Sequence, residues 1–168
     1  ELVRADVDER PMEDLPLPLS IIATDIGTGH RVVLKDGSVT TAMRASMSVP
    51  GLMAPVAYRG YKLVDGGLVD NVPVQEVRER CDPDVVIAIN VGSPLLEPEK
   101  VGSFLTVSAQ MINILTEQNV TRSLAQLRTT DIYIRPELGN LGAGDFERNR
   151  EAVAIGRKAA ESVQDRLQ

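Results

Sequence analysis

The sequence predicts an α/β domain built on a mostly parallel sheet. Apolar runs of strand length, "LPLSIIATDI", "PDVVIAINVG" and "DIYIRPEL", alternate along the chain with segments of helical periodicity. The first two runs are near-continuous in apolar residues, as expected of strands buried on both faces. With 168 residues, 43% of them apolar, the chain has the size of one domain and enough material for a core. Aromatic residues make up only 3%, so that core must be aliphatic, supplied by "LSIIA", "VVIAINV" and "MINIL".

Taken in order, residues 1–16 are charged and broken by prolines, and read as a loop or entering arm. Residues 17–26 form the first buried strand. "GTGH" turns the chain into a returning strand, "RVVLK" (31–35), which ends at the turn signal Asp36-Gly37. A short helix is expected over 39–47, stopped by Pro50 and Gly51. "AYRGYKLVDGG" (57–67) reads as a hairpin with Arg59-Gly60 at its tip and Asp65 at the end of its second arm. Pro73 suits the first turn of the helix "PVQEVRERC", with Asp70 or Asn71 near its cap. A second buried strand follows over 83–92. A long helix over 103–127 carries Phe104, Val107, Met111, Ile114 and Leu115 at helical spacing. A third strand covers 131–138. The last helix, 147–167, aligns Ala152, Ile155, Ala159, Val163 and Leu167. The loop "GNLGAGD" (139–145) is too short to divide domains, so one domain is expected over 1–168.

Charge and composition narrow the chemistry. A net charge of −6 argues against nucleic acid, which needs a basic stripe, and gives no polybasic attraction to anionic lipid. One cysteine, Cys81, excludes an internal disulfide, and one histidine, His30, excludes a His-x-x-x-His zinc site. No metal or cofactor is called for. A Ser-His-Asp triad would have to use His30, which sits in a glycine-rich turn. No serine has glycine at both −2 and +2, the spacing that permits a nucleophile elbow. Ser46 and Ser48 in "RASMSVPG" read as turn or cap residues. Cys81 lies beside Asp82 and Asp84, acids that disfavour a thiolate. Asp25, at the end of the first strand, reads as a partner for the backbone amides of the next turn.

Asp65 is different. It ends an apolar run and is followed by two glycines, "YKLVDGGLVDNVPV". By itself Asp-Gly-Gly reads either as a tight turn or as a carboxylate that another backbone must approach closely.

The ordered blocks "ATDIGTGHRVVL", "AMRASMSVPGLMAPVAYRGYKLVDGGLVDNVPV" and "DVVIAINVGSPL" together resemble the second half of bacterial patatin-like phospholipases. The resemblance is close from about Leu15 to Val91 and looser through "DIYIRPELGNLGAGDF" to the last helix. It implies a three-layer α/β fold, helices on both faces of a mostly parallel sheet, with the amino-terminal strands missing here. It implies a lipid acyl-hydrolase of phospholipase A or esterase type that uses a Ser-Asp dyad and needs no histidine. The family's Asp-Gly-Gly motif falls on Asp65, Gly66 and Gly67, which makes Asp65 the base. Gly66 and Gly67 would then clear room for the serine-bearing turn. Asp70 occupies the neighbouring position that the family does not use. The oxyanion loop and the nucleophile serine belong upstream of Glu1, so this chain is expected to be a carboxyl-terminal part, inactive alone.

The expected substrate is a phospholipid or other acyl ester, with peripheral membrane contact at the substrate. Self-association is expected of an open sheet edge. Cytoplasm or membrane periphery is the expected setting, although the family also includes exported members. Two other readings stand beside this one: a non-catalytic α/β module for lipid binding or assembly, and an unrelated hydrolase using His30 with Ser46 or Ser48.

Overall fold

The computed structural model describes residues 10–142 and 145–166, which form a mixed α/β structure in two compact units, one up to Pro73 and one from Val74 onward. Leu167 and residues 1–9 of the expected arm lie outside the described residues.

The first unit holds β1 (Ile21–Asp25), β2 (Arg31–Leu34), α1 (Val39–Ser46), β3 (Val56–Tyr58) and β4 (Tyr61–Asp65). Its sheet runs β2-β1-β4-β3 and every pairing is antiparallel, which corrects the expectation of a mostly parallel sheet here. For β1–β2 and β3–β4 the reason is connection length. Parallel neighbours need a crossover of a dozen or more residues, whereas two residues join β3 to β4 and five join β1 to β2. The β3–β4 tip is the predicted Arg59-Gly60, with φ of 51° and 85°, the left-handed pair that a two-residue hairpin favours. Its Tyr58 and Arg59 stack as cation and ring, and Arg59 also pairs with Asp36.

Helix α1 starts where Ser38 accepts a hydrogen bond from the Thr41 amide at 3.2 Å. It turns Val39, Ala42 and Ala45 inward, and the two alanines let it lie close on the sheet. With Met12, Ala23, Leu34 and Leu63 these residues make the core of the unit. Strand β1 is buried along nearly its whole length, as its continuous apolar run predicted.

The second unit holds α2 (Val74–Cys81), β5 (Ile87–Ile89), α3 (Phe104–Leu124), β6 (Ile132–Ile134) and α4 (Asn149–Glu161). Here β5 and β6 are parallel, with Ile87 opposite Ile132 and Ile89 opposite Ile134, and the long crossover contains α3. The Asp131 carboxylate, fully buried, locks the start of β6. It accepts from the Val86 amide at 2.9 Å and the Arg128 amide, and pairs with Arg78 of α2. The Arg128 amide, then the Val86 amide and the Arg78 charge, hold this carboxyl below its ordinary range against the cost of burial.

Two apolar runs differ from expectation. In β5 the inward residues Val86, Ala88 and Asn90 are buried, but Val85, Ile87, Ile89 and Val91 are exposed. Only one face of this strand is covered among the described residues. In α3 the buried positions are Asn119, Val120 and Ser123. The "MINIL" segment, expected in the core, leaves Met111, Ile114 and Leu115 exposed.

Candidate active site

Asp65 ends β4, and its backbone leaves the strand at φ −47° and ψ 127° to open a one-turn 3-10 helix, Gly66–Leu68. Its side chain caps that turn. Oδ1 accepts a hydrogen bond from the Gly67 amide at 2.7 Å. Among the described residues Oδ2 has no hydrogen-bond partner. The carboxylate is half-buried, next to the fully buried Leu63 and Val64 of its own strand. Burial raises its pKa from the ordinary value, and the Gly67 amide opposes this more weakly. The Asp65 backbone is held from two sides. Its N–H donates to the Ser48 carbonyl at 3.0 Å, and its carbonyl accepts from the Thr24 hydroxyl at 2.7 Å.

The two glycines have separate reasons. A Cβ on Gly66 would lie 2.2 Å from the Ile22 carbonyl oxygen, so this position is glycine because β1 passes against it. A Cβ on Gly67 would lie 2.9 Å from Asn71 Oδ1 and 3.0 Å from Asp65 Oδ1. Gly67 therefore keeps clear the space around the carboxylate itself. Room for a docking turn is not what Gly66 supplies: its open side is filled by this chain's own strand.

The other candidates are engaged elsewhere. Asp70 accepts from Arg31 Nη1 at 2.6 Å in a largely buried ion pair. Asp25 does what its place after a strand suggests. It accepts from the Thr28 hydroxyl at 2.7 Å and, at 3.3 Å each, from the Gly27 and Lys62 amides. The Thr28 bond is the main reason its pKa is lowered. His30 is exposed in the turn. Ser48 is fully buried, its hydroxyl donating to the Arg44 carbonyl at 2.6 Å and accepting from Arg44 Nη1. It lacks the exposure a nucleophile requires. Ser46 lies in the last turn of α1, and Cys81 is exposed at the end of α2. Among the described residues no three His, Cys, Asp or Glu side chains cluster as metal ligands, and no helix is long and apolar enough to cross a membrane.

Thus the structure separates three aspartates that look alike in sequence. One is neutralised by an arginine, one is saturated by donors, and one keeps an oxygen free in a half-dry setting. Sequence reasoning did not link Thr24 and Ser48, which hold the Asp65 main chain, or Arg31, which neutralises Asp70, to these aspartates. They lie 41, 17 and 39 positions from the aspartates they serve, and no local pattern marks them.

The family model for patatin-like phospholipase matches residues 1–78, the stretch that carries Asp65. An uncharacterized NTE family protein of Mycobacterium bovis is 28% identical over 172 residues, covering 90% of this chain and 30% of the relative. A second such protein, from Mycobacterium tuberculosis, is 31% identical over 130 residues, covering 74% of this chain and 36% of the relative. The patatin-like phospholipase domain-containing protein 7 of Mus musculus is 29% identical over 185 residues, 94% of this chain and 13% of that protein. The chain thus spans about a third of the mycobacterial relatives' length and less of the mouse protein's. The family match falls on the unit built around Asp65, the relatives align along most of the remaining chain, and the chain is similar to patatin-like phospholipases.

Proposed function

We propose that this chain is the base-bearing part of a lipid acyl-hydrolase that works through a Ser-Asp dyad, with Asp65 as the base and the nucleophile serine outside this chain. The observation that carries the reading is the Asp65 carboxylate: half-buried, fixed through Oδ1 by the Gly67 amide, with Oδ2 unengaged. The burial of Ser48 and the lack of any Gly-x-Ser-x-Gly in the chain support an external nucleophile.

In this reading Asp65 Oδ2 takes the proton of the serine hydroxyl as the serine oxygen bonds to the ester carbonyl carbon. The tetrahedral intermediate collapses, the alcohol leaves with the proton from Asp65, and an acyl-serine remains. A water then repeats the route, giving its proton to Asp65 and releasing the fatty acid. An ordinary aspartate, with a pKa of about 3.9, is a weak base for a hydroxyl at neutral pH. Burial narrows that mismatch, and the fixed Oδ1 leaves the free oxygen as the one to accept. The substrate class is an acyl ester of a glycerolipid, reached at the periphery of a membrane. Both units belong to one patatin-like domain, and upstream strands complete a three-layer sheet with helices on both faces. The chain alone is inactive, and the open strand edges favour association with that upstream part or with a second copy.

The test is Asp65→Asn in the full-length protein, assayed on a soluble short-chain acyl ester. Turnover should fall by about 10²–10⁴, the usual worth of a general base. Unchanged turnover refutes the assignment. His30→Ala should leave the rate within twofold, and a collapse there would favour the histidine reading instead.

A further inference from the structure

Strand β1 places the hydroxyl of Thr24 directly after Ile21, Ile22 and Ala23. Thr24 is buried, 3% exposed, between Val64 of β4 and Arg31 of β2 in the sheet register. Valine has nearly the same shape and suits a buried strand at least as well. A hydroxyl taken out of water costs free energy unless it is bonded. Among the described residues the Thr24 hydroxyl makes one bond, and that bond reaches the candidate base: it donates to the Asp65 carbonyl at 2.7 Å. The two residues are 41 positions apart, so no local turn asks for this contact.

The bond stops a motion that the Ser48 contact leaves open. The Asp65 N–H is fixed on the Ser48 carbonyl at 3.0 Å. A residue held only there can still turn about its N–Cα bond, and that turn carries the Cβ and the carbonyl carbon together. Holding the carbonyl therefore holds the carboxylate. The same peptide leads on to the Gly67 amide, which anchors Oδ1 at 2.7 Å. If it tilted, the acid and its anchor would shift together. Ser48 acts through a main-chain carbonyl, which every residue has. Thr24 acts through a side chain, so its part can be removed by substitution. Asp25 is held differently. Its carbonyl accepts from the Thr28 and Gly29 amides of its own turn.

We propose that Thr24 is a positioning residue for the Asp65 base, holding the carboxylate through the Asp65 carbonyl at the place where it takes the serine proton. The proposal rests on the Ser-Asp reading and adds to it a residue that touches neither substrate nor nucleophile. A base must meet its proton within hydrogen-bond reach. A displacement of about 1 Å can cost about 10² in rate, so a partial loosening should cost about tenfold.

The experiment measures kcat and KM of the full-length protein on p-nitrophenyl butyrate. Thr24→Val and Thr24→Ala lack the hydroxyl and differ in bulk. Each should lower kcat about tenfold and leave KM within about twofold. Thr24→Ser keeps the hydroxyl and should retain kcat within about threefold. Leu34→Val trims a core residue of β2 and should lower the urea midpoint while kcat stays within about twofold. In an Asp65→Asn background, Thr24→Val should add no further loss, because no base is left to position. A purely structural role predicts instead that the two losses multiply. The proposal is overturned if the hydroxyl-free variants turn over as wild type does while Asp65→Asn is impaired. It is overturned equally if Thr24→Ser falls as far as Thr24→Val, if Leu34→Val falls with them, or if the losses multiply. Unimpaired turnover by Asp65→Asn removes the dyad reading itself, and the proposal with it.

Discussion

Gly66→Ala adds one methyl group, and the structure says where it would land. The new Cβ lies 2.2 Å from the carbonyl oxygen and 2.6 Å from the carbonyl carbon of Ile22, with the Ala23 nitrogen at 3.1 Å. Comfortable contact is about 3.5 Å, so the atoms must part by more than 1 Å. The obstacle is main chain, and it belongs to the strand paired on both sides, with β2 and with β4. It cannot rotate aside as a side chain would. Overpacking usually costs about 1–3 kcal/mol, and an immovable neighbour puts this case at about 3 kcal/mol. With a urea m-value of about 2 kcal/mol/M, the unfolding midpoint should drop by about 1.5 M. Gly67→Ala is the internal comparison. Its Cβ meets only the ends of the Asn71 and Asp65 side chains, which can turn away. Stability should change by less than about 1 kcal/mol, but the carboxylate moves, and ester turnover should fall by about 10². Urea unfolding followed by circular dichroism, paired with the soluble-ester assay, reads both quantities. A Gly66→Ala midpoint equal to wild type, or a Gly67→Ala midpoint that falls as far as that of Gly66→Ala, would refute this reasoning.

Three further outcomes are expected. Asp131→Ala strands the Arg78 guanidinium and should cost about 3–5 kcal/mol at pH 7. Because the folded pKa of Asp131 is lowered, its contribution is present above the unfolded value and lost as pH falls through the folded one. The gap between variant and wild type should therefore shrink in acid, and a gap independent of pH would count against the ion pair. Asp65 has the opposite sign. Its pKa is raised, so the native state holds the proton more tightly, and stability falls as pH rises from the unfolded value through the folded one. Asp65→Asn should raise the thermal midpoint at pH 7 and leave it unchanged at pH 3. Asp70→Ala removes the partner of Arg31 and should cost about 1–3 kcal/mol in urea unfolding, with ester turnover kept within a few-fold.

What was legible in the sequence was local. The Arg59-Gly60 tip, the short helix over 39–47 and the burial of β1 follow from turn chemistry and periodicity within a few residues. The antiparallel order β2-β1-β4-β3 was concealed because a continuous apolar run marks a buried strand without marking its direction. Short connections such as Arg59-Gly60 carried that information and were given too little weight. The uncovered sides of β5 and α3 could not be foreseen, since an apolar pattern records what a residue prefers and not what stands opposite it. At the site, Asp65 was legible only through neighbouring blocks resembling a known family. The features that set it apart from Asp25 and Asp70, namely one oxygen left open and no arginine beside it, depend on contacts between distant strands. Gly66 was recognised as necessary, yet its reason was mistaken, because the close approach comes from Ile22 of this chain.

The grip of Ser48 and Thr24 on the Asp65 main chain limits how the site can move. With amide and carbonyl both clamped, the side chain has only its own two torsions, and the circle its free oxygen can sweep is set by the sheet. Loop motion elsewhere would leave that circle in place. Tuning of this carboxylate would then come from the groups that share its immediate solvation, and a slowly exchanging amide at position 65 would be the visible sign of so stiff a mounting.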